Sequence, residues 1–64
     1  MQLTINGEGQ IFDHPLTVAE LLERIGLDGR KVAVERNREI VPKSSYENIG
    51  LTEGDNIEIV HFIG

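Results

Sequence analysis

The sequence predicts an α+β fold: a mixed four- or five-stranded sheet with one main helix packed on one face. Three observations predict it. The chain opens on alternating polar and apolar residues, Gln2-Leu3-Thr4-Ile5-Asn6, the period of a half-buried strand. A single amphipathic helix carries both a start and a stop signal. The last segment, from Asn56, is the most apolar strand candidate in the chain. At 64 residues the sequence holds one domain, residues 1–64, because a second would have no core of its own.

Leu3 and Ile5 share one face of the first strand and Thr4 takes the other. Gly7-Glu8-Gly9 reads as the turn of a hairpin, since its glycines reach positive φ at low cost. Gln10-Ile11-Phe12-Asp13 is then the return strand. Thr17 and Glu20 have capping-box spacing, and Val18, Leu21, Leu22 and Ile25 follow as one stripe. Glu20 and Arg24 are spaced to pair across a helical turn, and Gly26 stands where a left-handed cap ends the helix. Lys31–Arg36 is a third strand through Val32, Ala33 and Val34. Asn37-Arg38 turns the chain into a short Glu39-Ile40-Val41 strand, which Pro42 closes because proline cannot donate to a ladder. Between Lys43 and Leu51 the pattern is mixed, a loop or single helical turn with Tyr46, Ile49 and Leu51 as inward anchors. Glu53-Gly54-Asp55 is a turn, and Asn56–Ile63 the final strand. A hairpin, one helix and a strong last strand suit a sheet whose first and last strands lie parallel and adjacent, the β-grasp arrangement. The sheet's other face must meet water or a partner.

Composition removes several kinds of chemistry. Without cysteine there is no disulfide, thiolate nucleophile or Cys-ligated metal. Lys and Arg number 6 against 11 Asp and Glu, a net charge of -5, the wrong imbalance for a phosphate-backbone binder. No apolar run has the length of a membrane span, and Met1 leads into a strand pattern rather than a signal peptide. A cytoplasmic domain, monomeric alone, is expected. His14 and His61 lack a third ligand at metal spacing; strand neighbours such as Asp13 and His14 point to opposite faces, and His14 is expected in a turn or at the surface. Ser44-Ser45 lacks a nucleophile elbow, and Phe12 stands where a dinucleotide loop would need its third glycine. The chain reads as a non-enzyme that binds no cofactor or metal itself. Arg36, Arg38 and Lys43 cluster by sequence and are expected to be solvated charges near a turn.

The final strand is more informative. Alternation puts Ile57 and Ile59 on the core face and Glu58, Val60 and Phe62 on the other. Two outward apolar residues beside the chain end make a candidate docking patch. His61 falls on the Ile57/Ile59 side. The sequence as given ends Phe62-Ile63-Gly64, and a glycine carboxylate, lacking a Cβ, can enter a narrow enzyme channel.

The stretches Leu3-Thr4-Ile5-Asn6-Gly7, Leu16-Thr17-Val18-Ala19-Glu20-Leu21-Leu22, Val32-Ala33-Val34-Glu35-Arg36-Asn37 and Glu39-Ile40-Val41-Pro42, with Leu51-Thr52-Glu53-Gly54-Asp55 and Ile57-Glu58-Ile59-Val60-His61-Phe62-Ile63-Gly64, resemble the ThiS family of sulfur carriers in thiamin biosynthesis. These are ubiquitin-like β-grasp proteins, and the resemblance covers essentially the whole chain. It implies a carrier whose C-terminal glycine, here Gly64, is adenylated by a ThiF-like enzyme using ATP and magnesium. Sulfur from a cysteine desulfurase system then displaces AMP to give a thiocarboxylate, which a ThiG-like thiazole synthase consumes. Glu58, Val60, Phe62 and Ile63 would form the partner-docking segment.

One departure stands out. The family's tail ends in Gly-Gly, and this sequence shows Gly64 alone after Ile63. Either one glycine is missing from the sequence as given, which is the expectation here, or Gly64 itself is modified. Three rivals remain open at this point. One is the small subunit of molybdopterin synthase, a carrier with the same tail chemistry. The second is a β-grasp binding module of the kind appended to tRNA synthetases and GTPases, and the third a ubiquitin-like interaction domain acting through Val60 and Phe62.

Overall fold

The computed structural model describes residues 1–62, and its described strands form one five-stranded sheet in the order β2-β1-β5-β3-β4. Strand β1 is Gln2–Ile5, β2 is Glu8–Ile11, β3 is Val32–Arg36, β4 is Glu39–Val41 and β5 is Asn56–His61. The first and last strands run parallel at the centre, with Thr4 beside Asn56 and Ile5 beside Ile57. All other pairings are antiparallel. The expected mixed sheet is therefore present, with the parallel pair in its expected place.

The first hairpin turns earlier than its glycines suggest. Asn6 and Gly7 are the two turn residues, at φ 49° and 83°, the doubly left-handed turn that Asn-Gly favours. The return strand accordingly begins at Glu8, not Gln10, and Phe12 lies beyond its end with a buried ring. Asn6 does more than turn the chain. Its side-chain Nδ2 donates to the Ile59 carbonyl at 3.2 Å, and its Oδ1 accepts from the Ile59 N–H at 2.7 Å. One amide thus extends the short parallel β1·β5 pairing.

Helix α1 spans Val18–Arg24 and shows the expected ends. Thr17 accepts from the Glu20 N–H at 3.1 Å, while Glu20 accepts from the Thr17 N–H at 2.8 Å. At the other end Gly26 sits at φ 80°. Its N–H reaches the Glu23 carbonyl and the Leu27 N–H the Leu22 carbonyl, the two bonds of a Schellman cap. The Glu20–Arg24 pair does not form. Glu20 is committed to the cap, and Arg24 turns to Asp13 at 3.3 Å and lies 6.0 Å from the Phe12 ring centroid.

Val18, Leu21 and Leu22 pack on Leu3, Ile5, Val32, Val34, Ile57 and Ile59 to form the core between helix and sheet. Tyr46 and Leu51 close it from below, with Ile49 half-buried. The Tyr46 hydroxyl donates to the Val32 carbonyl at 3.2 Å, and burial raises its pKa. Short 3₁₀ turns at Gly29–Lys31 and Lys43–Ser45 flank β3 and follow β4. The last strand ends at His61, although the Phe62 N–H still bonds the Lys31 carbonyl at 2.9 Å.

Candidate functional site

Strand β5 runs down the centre of the sheet and carries the chain out at one end. On it the apolar residues alternate as expected: Ile57 and Ile59 are buried, Glu58 and Val60 exposed. Val60 is 62% exposed and pairs with the half-buried Ala33. Ile40, 77% exposed, stands diagonal to that pair because it is opposite Glu35 on β4. Val60, Ala33 and Ile40 therefore form an apolar spot on the face away from the helix. Beside it Glu35 and Glu58 are directly opposite each other. Like charges in register cost a sheet stability.

Phe62 follows, 54% exposed, one residue past the strand. The Lys43 ammonium lies 4.6 Å from its ring centroid and donates to the Arg30 carbonyl at 2.7 Å. Ile63 and Gly64, the other residues expected at the site, lie outside the described residues.

The basic cluster expected from sequence is not one patch. Arg36 donates to the buried Asp55 carboxylate at 2.8 Å, at the end of the sheet where β5 begins. Arg38 occupies the β3–β4 turn at φ 71°. Lys43 lies beyond the far end of β3, roughly 13 Å away if measured as four strand residues. A hairpin reverses direction, so residues close in sequence across it separate again along the strands.

His61 is exposed rather than set against the core. His14 is also exposed, but Asp13 and His14 are not on opposite faces. They lie past β2 in a bend, where Nδ1 of His14 meets the Asp13 carboxylate at 2.7 Å. Arg24 and His14 hold that carboxyl below its ordinary range. Among the described residues no group of three or more His, Asp or Glu side chains is placed to hold a metal ion. A groove of about 580 Å³ on the helix side, lined by Leu22, Leu27, Tyr46 and Glu47 among others, is open to solvent.

Ile40 and Lys43 were missed as site residues. Ile40 was legible, since a buried Val41 next to it forces it outward by alternation. Lys43 was not, because its partner lies 19 positions away.

Residues 3–64 match the ThiS family. The chain belongs to the ThiS family. It is 46% identical over 48 residues to the sulfur carrier protein ThiS of Bacillus subtilis, covering 75% of this chain and 73% of that one. A thiamine biosynthesis protein (ThiS) from Geobacter metallireducens, solved by crystallography, superposes with a TM-score of 0.90 at 31% identity, covering 100% of this chain and 97% of that one. A thiazole synthase of Paramagnetospirillum magneticum is 58% identical over all 64 residues, which are 20% of its length. The chain thus spans about a fifth of that relative, and the same holds for a 42% identical thiazole synthase of Magnetococcus marinus. ThiS membership agrees with the resemblance read from the sequence, and the β-grasp sheet agrees with the solved ThiS structure.

Proposed function

We propose that this ThiS-family chain carries sulfur for the thiazole of thiamin as a C-terminal thiocarboxylate. The reading is carried by the family match running through the last strand, whose outward face presents exposed apolar residues. A carboxylate is a poor electrophile. Attack on the α-phosphorus of ATP gives an acyl-adenylate and releases pyrophosphate, and sulfur then displaces AMP at the carbonyl. The ATP and magnesium belong to a ThiF-like adenylating enzyme, the sulfur to a desulfurase-type donor, and the thiocarboxylate to thiazole synthase. The chain supplies a glycine terminus and a recognisable body, which is a co-substrate's role and not an enzyme's. A cytoplasmic location follows from that chemistry; among the described residues no helix is long and apolar enough to cross a membrane.

Docking centres on Val60, with Ile40 and Ala33 around it, Glu58 and Glu35 at the rim, and Phe62 at the exit. Apolar centres of this kind dominate binding energy, while rim charges steer encounter. The thiazole synthase relatives favour a variant of the same reading. In them a unit like this one shares a polypeptide with the rest of the synthase, so the consumer of the sulfur would be tethered to its carrier and effective concentration would replace affinity. The test is pyrophosphate exchange by the cognate adenylating enzyme, with this chain and with a version one glycine longer as substrates. ATP-dependent exchange that needs the chain, and whose apparent affinity falls about tenfold or more in Val60→Glu, supports the reading. No exchange with either version, by an enzyme active on a control carrier, contradicts it.

A further inference from the structure

We propose that Lys43 is a positioning residue for the C-terminal segment: its ammonium, anchored on the Arg30 carbonyl, grips the Phe62 ring and fixes the direction in which the chain leaves the sheet. The inference deepens the carrier reading above and rests on it. Backbone just past the end of a strand loses its ladder partners and ordinarily frays. Here the Phe62 N–H bonds the Lys31 carbonyl at 2.9 Å, and the Lys43 ammonium sits 4.6 Å from the ring centroid. The same ammonium donates to the adjacent Arg30 carbonyl at 2.7 Å. Two consecutive carbonyls of one turn thus hold the two halves of the clamp.

Both anchors are themselves braced. Asp28 accepts from the Arg30 N–H at 2.9 Å and from its guanidinium at 2.9 and 3.2 Å, and these contacts bring the Asp28 pKa down to about 2. Lys43 starts from Pro42, whose ring fixes φ at -61°, and the Ser45 N–H closes that turn on the Pro42 carbonyl at 2.9 Å. A surface lysine free to choose would keep its ammonium in water. This one satisfies a backbone acceptor and an aromatic face together.

An enzyme channel that threads a chain end binds only those molecules whose end points into it, so apparent affinity scales with the correctly directed fraction. Removing the grip lowers that fraction without touching the reacting carboxylate. In pyrophosphate exchange, Lys43→Met is expected to raise KM about threefold with kcat unchanged. Lys43→Arg, which stacks on a ring and donates to a carbonyl, restores the wild-type KM. Phe62→Leu, which also removes a docking contact, should raise KM at least as much as Lys43→Met, and Lys43→Met should add nothing further in the Phe62→Leu background. By NMR, the Lys43 ε-methylene protons are expected upfield from ring current in the wild type. The Phe62 amide is expected to lose protection from hydrogen exchange in Lys43→Met, with melting temperature moved by no more than about 4 °C.

An unchanged KM together with an unchanged Phe62 amide overturns the proposal, as does a loss confined to kcat. Additive single variants overturn it as well. If the wild-type chain supports no exchange at all, the carrier reading fails instead, and the ring-current and amide measurements still decide whether Lys43 holds Phe62.

Discussion

Asn6 concentrates three tasks in one side chain: a positive φ, a donor and an acceptor, the last two spent on Ile59. Asn6→Gly keeps the turn but drops both bonds, and is expected to cost about 1–2 kcal/mol in denaturant unfolding. Asn6→Ala adds the strain of a left-handed Cβ, for about 2–3 kcal/mol. Local reading puts the turn on Gly7-Glu8-Gly9 because two glycines compete for it, although Asn6-Gly7 is itself a strong hairpin signal; nothing local points to Ile59. Asp55 is the comparable case at the other strand junction. Burial pushes its pKa up, but the Thr52 N–H, the Asn37 amide, the Arg36 guanidinium and the Thr52 hydroxyl outweigh burial and leave it lowered. A depressed folded pKa means that its contribution is complete above the unfolded value of about 4 and is lost as pH falls through the folded one. Asp55→Asn is therefore expected to destabilise by about 2–3 kcal/mol at neutral pH. It should also flatten the fall in stability as pH drops below the unfolded value of about 4, as followed by chemical denaturation at each pH.

Helix α1 is the element most legible in advance, since its cap residues, its apolar stripe and its terminal glycine are all local signals. Thr17→Ala, which breaks the capping box, is expected to cost about 1 kcal/mol by thermal or urea unfolding. What local reading misplaced was Arg24's partner. Spacing offers Glu20, but the cap had already taken it, and the tertiary fold delivers Asp13. Strand β2 shows the same limit from the other side. Every residue of it is exposed, so no burial pattern marked its start. The β3·β5 pair carries a different prediction. Relieving the Glu35–Glu58 opposition with Glu58→Gln is expected to raise stability by a few tenths of a kcal/mol. The same change should slow association with the adenylating enzyme, most visibly at low salt. A gain in stability without slower association would separate this charge pair from docking.

Across the whole molecule, one helix can cover only one face of the sheet, and the other face holds the candidate site. That much was legible, because the two periodicities and the strong last strand specify a helix-on-sheet layer with the first and last strands side by side; that β5 lies at the centre of the sheet comes from the structure. The grouping of Val60 with Ile40 and Ala33 was not, since it depends on the β3·β4·β5 register; the same register pulls Arg36 away from Lys43. Val60→Glu should leave stability within about 0.5 kcal/mol, as exposed substitutions do. Apparent affinity for the adenylating enzyme should fall about tenfold or more, as for the centre of an interface. The most direct measurement of the central claim is the intact mass of this chain, with and without one further glycine. It is taken after incubation with ATP, magnesium, the cognate adenylating enzyme and a sulfur donor. A mass gain equal to one oxygen exchanged for sulfur, located at the C-terminus and discharged by thiazole synthase, is the predicted result. An unchanged mass in both forms, with the same enzymes charging a control carrier, would contradict it.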